Sequence, residues 1–403
     1  MSRIDEVIRE LCPNGVPFVP LAQTCRIFSG FAFDSGQFNK AGDGIPLVRV
    51  RDVNTGFSGT FYSGSYDLRF LVNDGDLLIG MDGDFRAVRW SHGRALLNQR
   101  VCRLQDFAND VDPLFLIHSV GQLLRRMQEQ TQSSTVRHLS SMALAKAHVA
   151  KPPIQLQREI VRALDALQSR QTLLETALAG ELGARRQQYA FRRDQLFDQR
   201  DIGRENSLPL GDLGTFVRGR RFTKDDRVSI GIPSIHYGEI YTHYGTTARQ
   251  VLSHVRDDLT SQLRYAQPGD VVIAGVGETV EDVAKAVAWL GETPVAIHDD
   301  TFSFRSELDP TYVSYFMQSS SFQSQKVRHV AQAKVKRIGS VGLGKIVIPV
   351  PPMDEQRRIV AILDELDSAV QELSTQLSAE LVARRQQYEH YRDRLLTFKE
   401  LPA

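Results

Sequence analysis

Sliding the chain against itself by 199 positions aligns residues 151–197 with 350–396 without a gap, and 24 of the 47 pairs are identical. A chain that carries one segment twice is a duplication, and any fold proposed for it must place that segment twice. The match includes Pro152-Pro153 with Pro351-Pro352, Gln157-Arg158 with Gln356-Arg357, and the run ARRQQY at Ala184–Tyr189 and again at Ala383–Tyr388. A proline pair disfavours helix in the residue before it, and some 44 residues without another proline follow, so each copy predicts one long helix. At 1.5 Å per residue such a helix is about 66 Å long.

The apolar face of each helix names its partner. In the second copy Ile359, Leu363, Leu366, Val370, Leu373 and Leu377 advance in steps of four and three, the seam of a left-handed coiled coil. The first copy keeps Ile160, Leu164, Leu167, Leu174 and Leu178, but sets Gln171 where the second has Val370 and carries Gly180 and Gly183. Each glycine costs about 1 kcal/mol of helix propensity. The two stripes are expected to zip together antiparallel; the alternative is that each helix packs only on its own domain.

Upstream of each helix lies a β-rich region, and these two diverge far more than the helices do. Pro20-Leu21 corresponds to Pro209-Leu210, Gly30 and Phe33 to Gly219 and Phe222, Gly44-Ile45-Pro46 to Gly231-Ile232-Pro233, and Gly75-Asp76 to Gly269-Asp270. These pairs are turn signals that bound strands such as Leu47–Val50 and Val271–Ala274. Leu114–Met127 and Val313–Gln325 each read as a helix. The fold class is therefore α+β: two mixed globules separated by two long helices forming an antiparallel coiled coil, with pseudo-two-fold internal repetition and neighbouring termini. The expected domains are 1–150, a first spacer helix 151–198, 199–350, and a second spacer helix with tail, 351–403.

Composition excludes some classes of function and leaves others open. With 42% apolar and 24% charged residues the chain reads as globular. No run approaches the roughly 20 apolar residues of a membrane span, and the opening MSRIDEVIRE does not read as a secretory signal, so a cytoplasmic location is expected. Cys12, Cys25 and Cys102 are odd in number and lack CxxC spacing, and are expected as buried thiols rather than disulfide or zinc ligands. A net charge of +1 gives no global support to nucleic-acid binding, which must rest on local patches.

Two matched struts with two unlike globules suit a tool that holds two independently tuned reading heads at a fixed spacing, and one turn of DNA is roughly 34 Å. The helix starts PPIQLQREIV and PPMDEQRRIV, the ARRQQY runs and the terminal YRDRLLTF resemble the specificity subunit of type I restriction-modification systems. The N-terminal CPNGVPFVPLAQ, the segments GIPLVRV and GMDGDF, and Asn98-Gln99-Arg100 are similar to the target recognition domains of that family. The resemblance covers the whole chain. It implies a non-catalytic subunit whose two target recognition domains read the halves of an interrupted site in double-stranded DNA. It also implies that the conserved regions seat two methyltransferase subunits, with restriction and translocase subunits joining for cleavage. S-adenosylmethionine, ATP and Mg are then expected on those partners, and no cofactor or metal in this chain. A stand-alone bipartite DNA-binding protein and a protein-binding coiled-coil scaffold are the rival readings.

Phosphates are contacted by Lys, Arg or backbone donors, and base edges by Arg, Asn, Gln and similar side chains on rigid elements. In the second head Arg218, Arg220, Arg221 and Lys224 form the densest basic stretch, and His236 and Tyr237 lie where Arg49 and Val50 lie in the first. Arg49, Arg51, Arg86 and Arg89, with Asn98 and Gln99, are the first head's candidates; Lys334 and Lys336 precede the second helix. No catalytic motif survives inspection. Gly339–Lys345 opens like a phosphate-binding loop but continues with Ile346 where a Ser or Thr is needed. Gly275 and Gly277 lack the third glycine of a dinucleotide fingerprint, and Asp82 and Asp84 are too few for a calcium loop. His298 with Asp299-Asp300 resembles an acid-base cluster, but Asn98, Gln99 and Arg100 stand at that place in the first copy.

Overall fold

The computed structural model describes residues 3–130, 138–198, 206–331 and 335–402. The chain forms two compact units, Met1–Thr176 with Glu380–Ala403, and Ala177–Ala379. Each holds one globule and the adjoining parts of both long helices, which span Ile154–Leu196 and Met353–Leu395, 43 residues apiece.

In the first unit a four-stranded sheet has the order 26–29, 101–105, 77–80, 87–89, and a five-stranded sheet the order 38–39, 61–62, 45–48, 95–97, 71–72. Most neighbours are antiparallel, but Ile45–Val48 runs parallel to Ala95–Leu97, pairing Leu47 with Leu96 and Val48 with Leu97. In the second unit the sheets follow this order with different residues and one strand more: 214–218, 301–306, 271–274, 286–289 with an added 247–248 parallel to 286–289, and 227–228, 253–255, 232–235, 295–297, 265–266. Here too the one pairing of its kind within the second sheet is parallel, with Ser234 against Ala296 and Ile235 against Ile297. Leu77–Gly80 and Val271–Ala274 are buried along their whole length, as befits strands covered on both faces.

The Gly-Asp turns have a shared mechanism. Gly75 and Gly269 have φ of +96° and +91°, which a side chain would strain, and the following aspartates cap the turn and hold an arginine. Asp270 accepts from Gln267 N and pairs with Arg305 through two bonds of 2.8 and 2.9 Å. Asp76 accepts from Asn73 N and pairs with Arg103 at 3.2 Å.

The buried Gln157 and Gln356 explain their place in the repeat. Gln157 Oε1 accepts from Asp112 N at 2.8 Å while its Nε2 donates to Asp110 and Pro152 carbonyls. Gln356 Oε1 accepts from Asp309 N at 3.0 Å and its Nε2 donates to Pro351 O. Each glutamine thus ties the start of a long helix to the start of a globule helix, whose first N–H groups are capped by Asp112 or Asp309.

Within each unit the helix segments run antiparallel. Ile160 and Leu164 are buried with Phe115 of the globule and with Leu395 and Leu396 at the far end of the partner helix. Farther along, Leu167 and Leu174 lie opposite Arg384, Tyr388 and Tyr391. In the second unit Ile359 and Leu363 are buried with Tyr312, Phe316 and Phe197, and Leu366, Val370 and Leu373 lie opposite Arg185, Tyr189 and Arg192. Leu178 and Leu377 are half-buried on the same stripe. The helices therefore run antiparallel as expected, but the stripes do not cover each other: each packs on its own globule and on the second half of the other helix, residues 384–396 or 185–197.

Three local expectations need correction. The strand expected at Leu47–Val50 is Ile45–Val48, because Arg49 N donates to the Asp52 carboxylate and a helix begins at Val50. The helix expected at Leu114–Met127 spans Pro113–Gln130, whereas its counterpart is split into Pro310–Phe316 and Ser320–Lys326, since buried Ser319 accepts from Phe322 N and starts a new helix. Cys25 and Cys102 are buried as expected, while Cys12 is only half-buried. Glu400 pairs with Val16, and Val16 N donates to Lys399 O at 2.8 Å, so the two ends of the described chain meet in the first unit.

Candidate nucleic-acid interface

In both heads part of the candidate set gathers where the parallel strand pair ends. In the second head Ile232–Ile235 gives way to His236, which caps the helix Tyr237–Thr242, and Val295–Ile297 gives way to His298. Gly219 passes so close that a Cβ there would lie 2.1 Å from the His298 carbonyl oxygen; only glycine permits that approach. The loop it opens carries the basic stretch: Arg218 Nε donates to Asp299 O at 2.6 Å, Arg220 N to Ile297 O at 3.0 Å, and the Arg220, Arg221 and Lys224 side chains are exposed.

An aromatic cluster fills the space beneath. His236 lies 4.3 Å from Tyr237 and 4.5 Å from His298 between ring centroids, and Phe222 packs edge-on to His298 at 5.1 Å. His236 Nδ1 accepts from Gly238 N at 3.2 Å. Burial, then His298, Arg227 and Lys224, push the His236 pKa down to about 4 despite Asp299, so its ring is neutral at physiological pH. Burial likewise lowers the pKa of His298, against the pull of Asp299 and Asp300. Its Nδ1 lies 3.1 Å from both Asp300 N and the Asp299 carboxylate. Asp300 in turn pairs with Arg337 at 3.6 Å. Although His298, Asp299 and Asp300 are close enough to share a metal, their bonds to Asp300 N and Arg337 already give them a structural use.

The first head has the same scaffold and different chemistry. Arg49 caps Val50–Thr55, but its guanidinium turns inward to Thr60 Oγ1 and to the Asp52 carboxylate 3.7 Å away. Asp52 is buried, and desolvation raises its pKa to about 6 against the opposing pull of Arg51 and Ser58. Asn98 occupies the place of His298: Gly30 approaches its carbonyl as Gly219 approaches that of His298, and Asn98 Oδ1 accepts from Gln99 N at 2.8 Å. Gln99 and Arg51 are exposed. Arg86 and Arg89 are also exposed but lie at the edge strand Ala87–Arg89 of the other sheet, away from the strand ends that gather Arg49, Asn98 and Gln99.

Several residues at these ends escape a reading by residue type. Arg100 pairs with Asp82 at 3.4 Å, and Asp82 contacts His138 Nδ1 at 2.5 Å. Arg337, next to Lys336 on a two-residue strand paired with Val276–Gly277, joins the Asp300 carboxylate in the second head. Lys334 lies outside the described residues. The matched offset of the two heads could have pointed to Arg100, since it corresponds to Asp300.

Comparison with known proteins accounts for this duplicated design. The family described as type I restriction modification DNA specificity domain matches residues 13–183 and again 206–383. The chain belongs to this family. Among curated relatives, the type I restriction enzyme EcoBI specificity subunit of Escherichia coli is 25% identical, across 89% of this chain and 81% of that one. The putative type I restriction enzyme specificity subunit S.HindORF215P of Haemophilus influenzae is 23% identical across 88% of each chain. A solved chain from work on complex assembly and conformational transition of the type I R-M system superposes with a TM-score of 0.70 at 16% identity, covering 95% of this chain and 98% of that one. The HsdS subunit from Thermoanaerobacter tengcongensis gives 0.54 at 16% identity, covering 96% and 97%. These two neighbours share its α+β fold with paired helices. As a member of the family, the chain is a DNA sequence specificity subunit of a type I restriction-modification system. Among the described residues no helix is long and apolar enough to cross a membrane.

Proposed function

We propose that each globule reads one half of an interrupted double-stranded DNA site, that the paired helices set the gap, and that the repeated regions seat two methyltransferase subunits. Restriction and translocase subunits join that assembly in the cytoplasm, and S-adenosylmethionine, ATP and Mg act on the partners. The observation that carries this reading is the convergence, in two heads of one strand order, of unlike polar side chains on one structural place. Strand order and the Gly-Asp and Gly-Ile-Pro turns are kept while the polar side chains at the strand ends differ, as two reading heads with different targets require. The exposed Arg220, Arg221 and Lys224 beside the strand ends supply phosphate contacts, and the uncharged His236, Asn98 and Gln99 stand where base edges would be read.

The test is to co-express the chain with a type I methyltransferase subunit, purify the complex, and map N6-methyladenine across the host genome. A single interrupted motif is expected, and it should vanish when Arg218, Arg220 and Arg221 are all replaced by Ala while the complex still assembles. DNA affinity of the parent complex should fall steeply with salt and less steeply for the triple variant. Methylation that persists in the variant would remove the basic loop from the interface.

A further inference from the structure

His236 differs from the cationic candidates around it in that its chemistry is fixed by its own backbone. The Gly238 N–H donates to Nδ1 at 3.2 Å, so the ring proton sits on Nε2. The ring is held by Tyr237, His298 and Phe222 and sits at the end of a paired strand rather than on a free loop. Among the described residues no acceptor is bonded to Nε2. Around this neutral donor stand Lys224 and Arg227 on the neighbouring turn and strand, His298 and Asp299 on the facing loop, and Glu239, whose carboxylate accepts from His236 N at 3.0 Å. A rigid, uncharged N–H beside a basic loop cannot contribute much to phosphate attraction, but it can distinguish one base edge from another.

We infer that the Nε2–H of His236 is a sequence-determining donor of the second head, selecting at one position of its half-site a base edge that presents an acceptor over one that presents an amino group. This rests on the DNA-reading function proposed above and assigns the part played by one residue within it. A purine N7, guanine O6 or thymine O4 meets the requirement, whereas the cytosine N4 amino group opposes it. At the equivalent place the first head carries Arg49, a cation whose guanidinium turns inward to Thr60 and Asp52, and not a neutral ring.

The experiment uses the assembled complex with a methyltransferase subunit and a DNA library randomised over the mapped motif. His236→Asn keeps a good helix cap and an atom near the Nδ1 position but removes the Nε2 donor, and His236→Gln places an amide nitrogen near Nε2. For His236→Asn, preference at one base position of one half-site should fall about 10- to 100-fold, while the other half-site and the slope of affinity against salt stay unchanged. His236→Gln should retain part of that preference, and the parent's preference should be flat between pH 6.5 and 8.5. Unchanged base preference in His236→Asn, or a uniform loss of affinity with a shallower salt slope, would overturn the inference and leave the DNA-reading function standing. A preference that sharpens as pH falls through 6.5 would overturn it too, since the charged ring would then be acting. If the parent complex selects no site at all, the broader reading fails and takes this one with it.

Discussion

The two long helices align without a gap and keep 24 of 47 residues, whereas the two heads keep little beyond their strand order and a few turns. The spacing of the helices is constrained, because a seam works only in register and Gln157 or Gln356 must reach the corresponding backbone N–H of Asp112 or Asp309. A sheet asks less of its sequence. Buried apolar side chains at Leu77–Gly80 and Val271–Ala274 suffice to place the central strands, and the residues beyond the strand ends are free to differ. Arg49 and His236, or Asn98 and His298, can then occupy one place with different chemistry. Unlike side chains at the ends of a shared strand order are what a pair of independently adjusted readers needs.

Breaking the constant part should have the largest effect. Deleting one heptad from each helix, residues 172–178 and 371–377, preserves the seam but shortens each helix by about 10 Å. Methylation at the original motif should be abolished and reappear at a motif with the same half-sites and an altered gap, as read by N6-methyladenine mapping. Altered half-site bases would refute the idea that the helices act as a ruler.

Next come the Gly-Asp turns, which both heads share in unequal form. Asp270 is almost fully buried and bonds Arg305 through both carboxylate oxygens, whereas Asp76 is about a quarter exposed and makes one close contact with Arg103. Asp270→Ala should cost about 2–3 kcal/mol and Asp76→Ala about 1 kcal/mol, the exposed guanidinium of Arg305 keeping the first value below that of a wholly buried pair. Urea unfolding with hydrogen exchange resolved by head would measure both, and equal costs would show that burial is not what separates them.

Acidification should separate the heads by sign. The pKa values of His236 and His298 lie below that of a free histidine, so the unfolded second head takes up protons first as pH falls through about 6.5, and stability is lost. Burial acts most on His236, His298, Arg227 and Lys224 add to it and Asp299 opposes it, and the net effect is depression to about 4. Asp52 in the first head is raised to about 6, so protonation favours the folded form and stability is gained over the same interval. From pH 7 to 5 the helix Tyr237–Thr242 should lose protection against hydrogen exchange while Val50–Thr55 gains. His118, whose pKa is lowered by burial near Asp165 and Arg392, works against that gain at the helix junction of the first unit, so the readout must be local to Val50–Thr55. Loss in both heads would remove Asp52 as the cause.

Much of this was legible in the sequence. Gly-Ile-Pro and Gly-Asp marked the matching strands, and the proline pairs marked the starts of the helices to within a residue or two. What could not be read was long-range pairing: Gln157 with Asp112, Arg305 with Asp270, and His236 with His298 join residues tens of positions apart without a motif. His298 with Asp299-Asp300 reads by residue type as an acid-base cluster, and only the bonds to Asp300 N and Arg337 show its structural use. Arg49 looked equivalent to His236, and only its contacts with Thr60 and Asp52 show that its charge is turned inward.

The smallest expected effect compares the helices themselves. Gly180 and Gly183 stand where the second helix has Ala379 and Val382, and a Cβ at either glycine would meet no atom within 4 Å. Neither has a positive φ, so no turn or close approach requires a glycine. Gly180→Ala and Gly183→Ala should each stabilise the chain by up to about 1 kcal/mol, and Ala379→Gly should destabilise it by a similar amount. Thermal unfolding of the three single variants measures this, and mapping of methylated sites shows whether the gap is kept. A gain in stability with an unchanged motif would mean that the glycines are merely tolerated in a helix stabilised by its seam and its globule contacts. A gain accompanied by weaker methylation would mean instead that the first helix must bend or loosen near its middle when the DNA site is engaged, a demand not placed on the second.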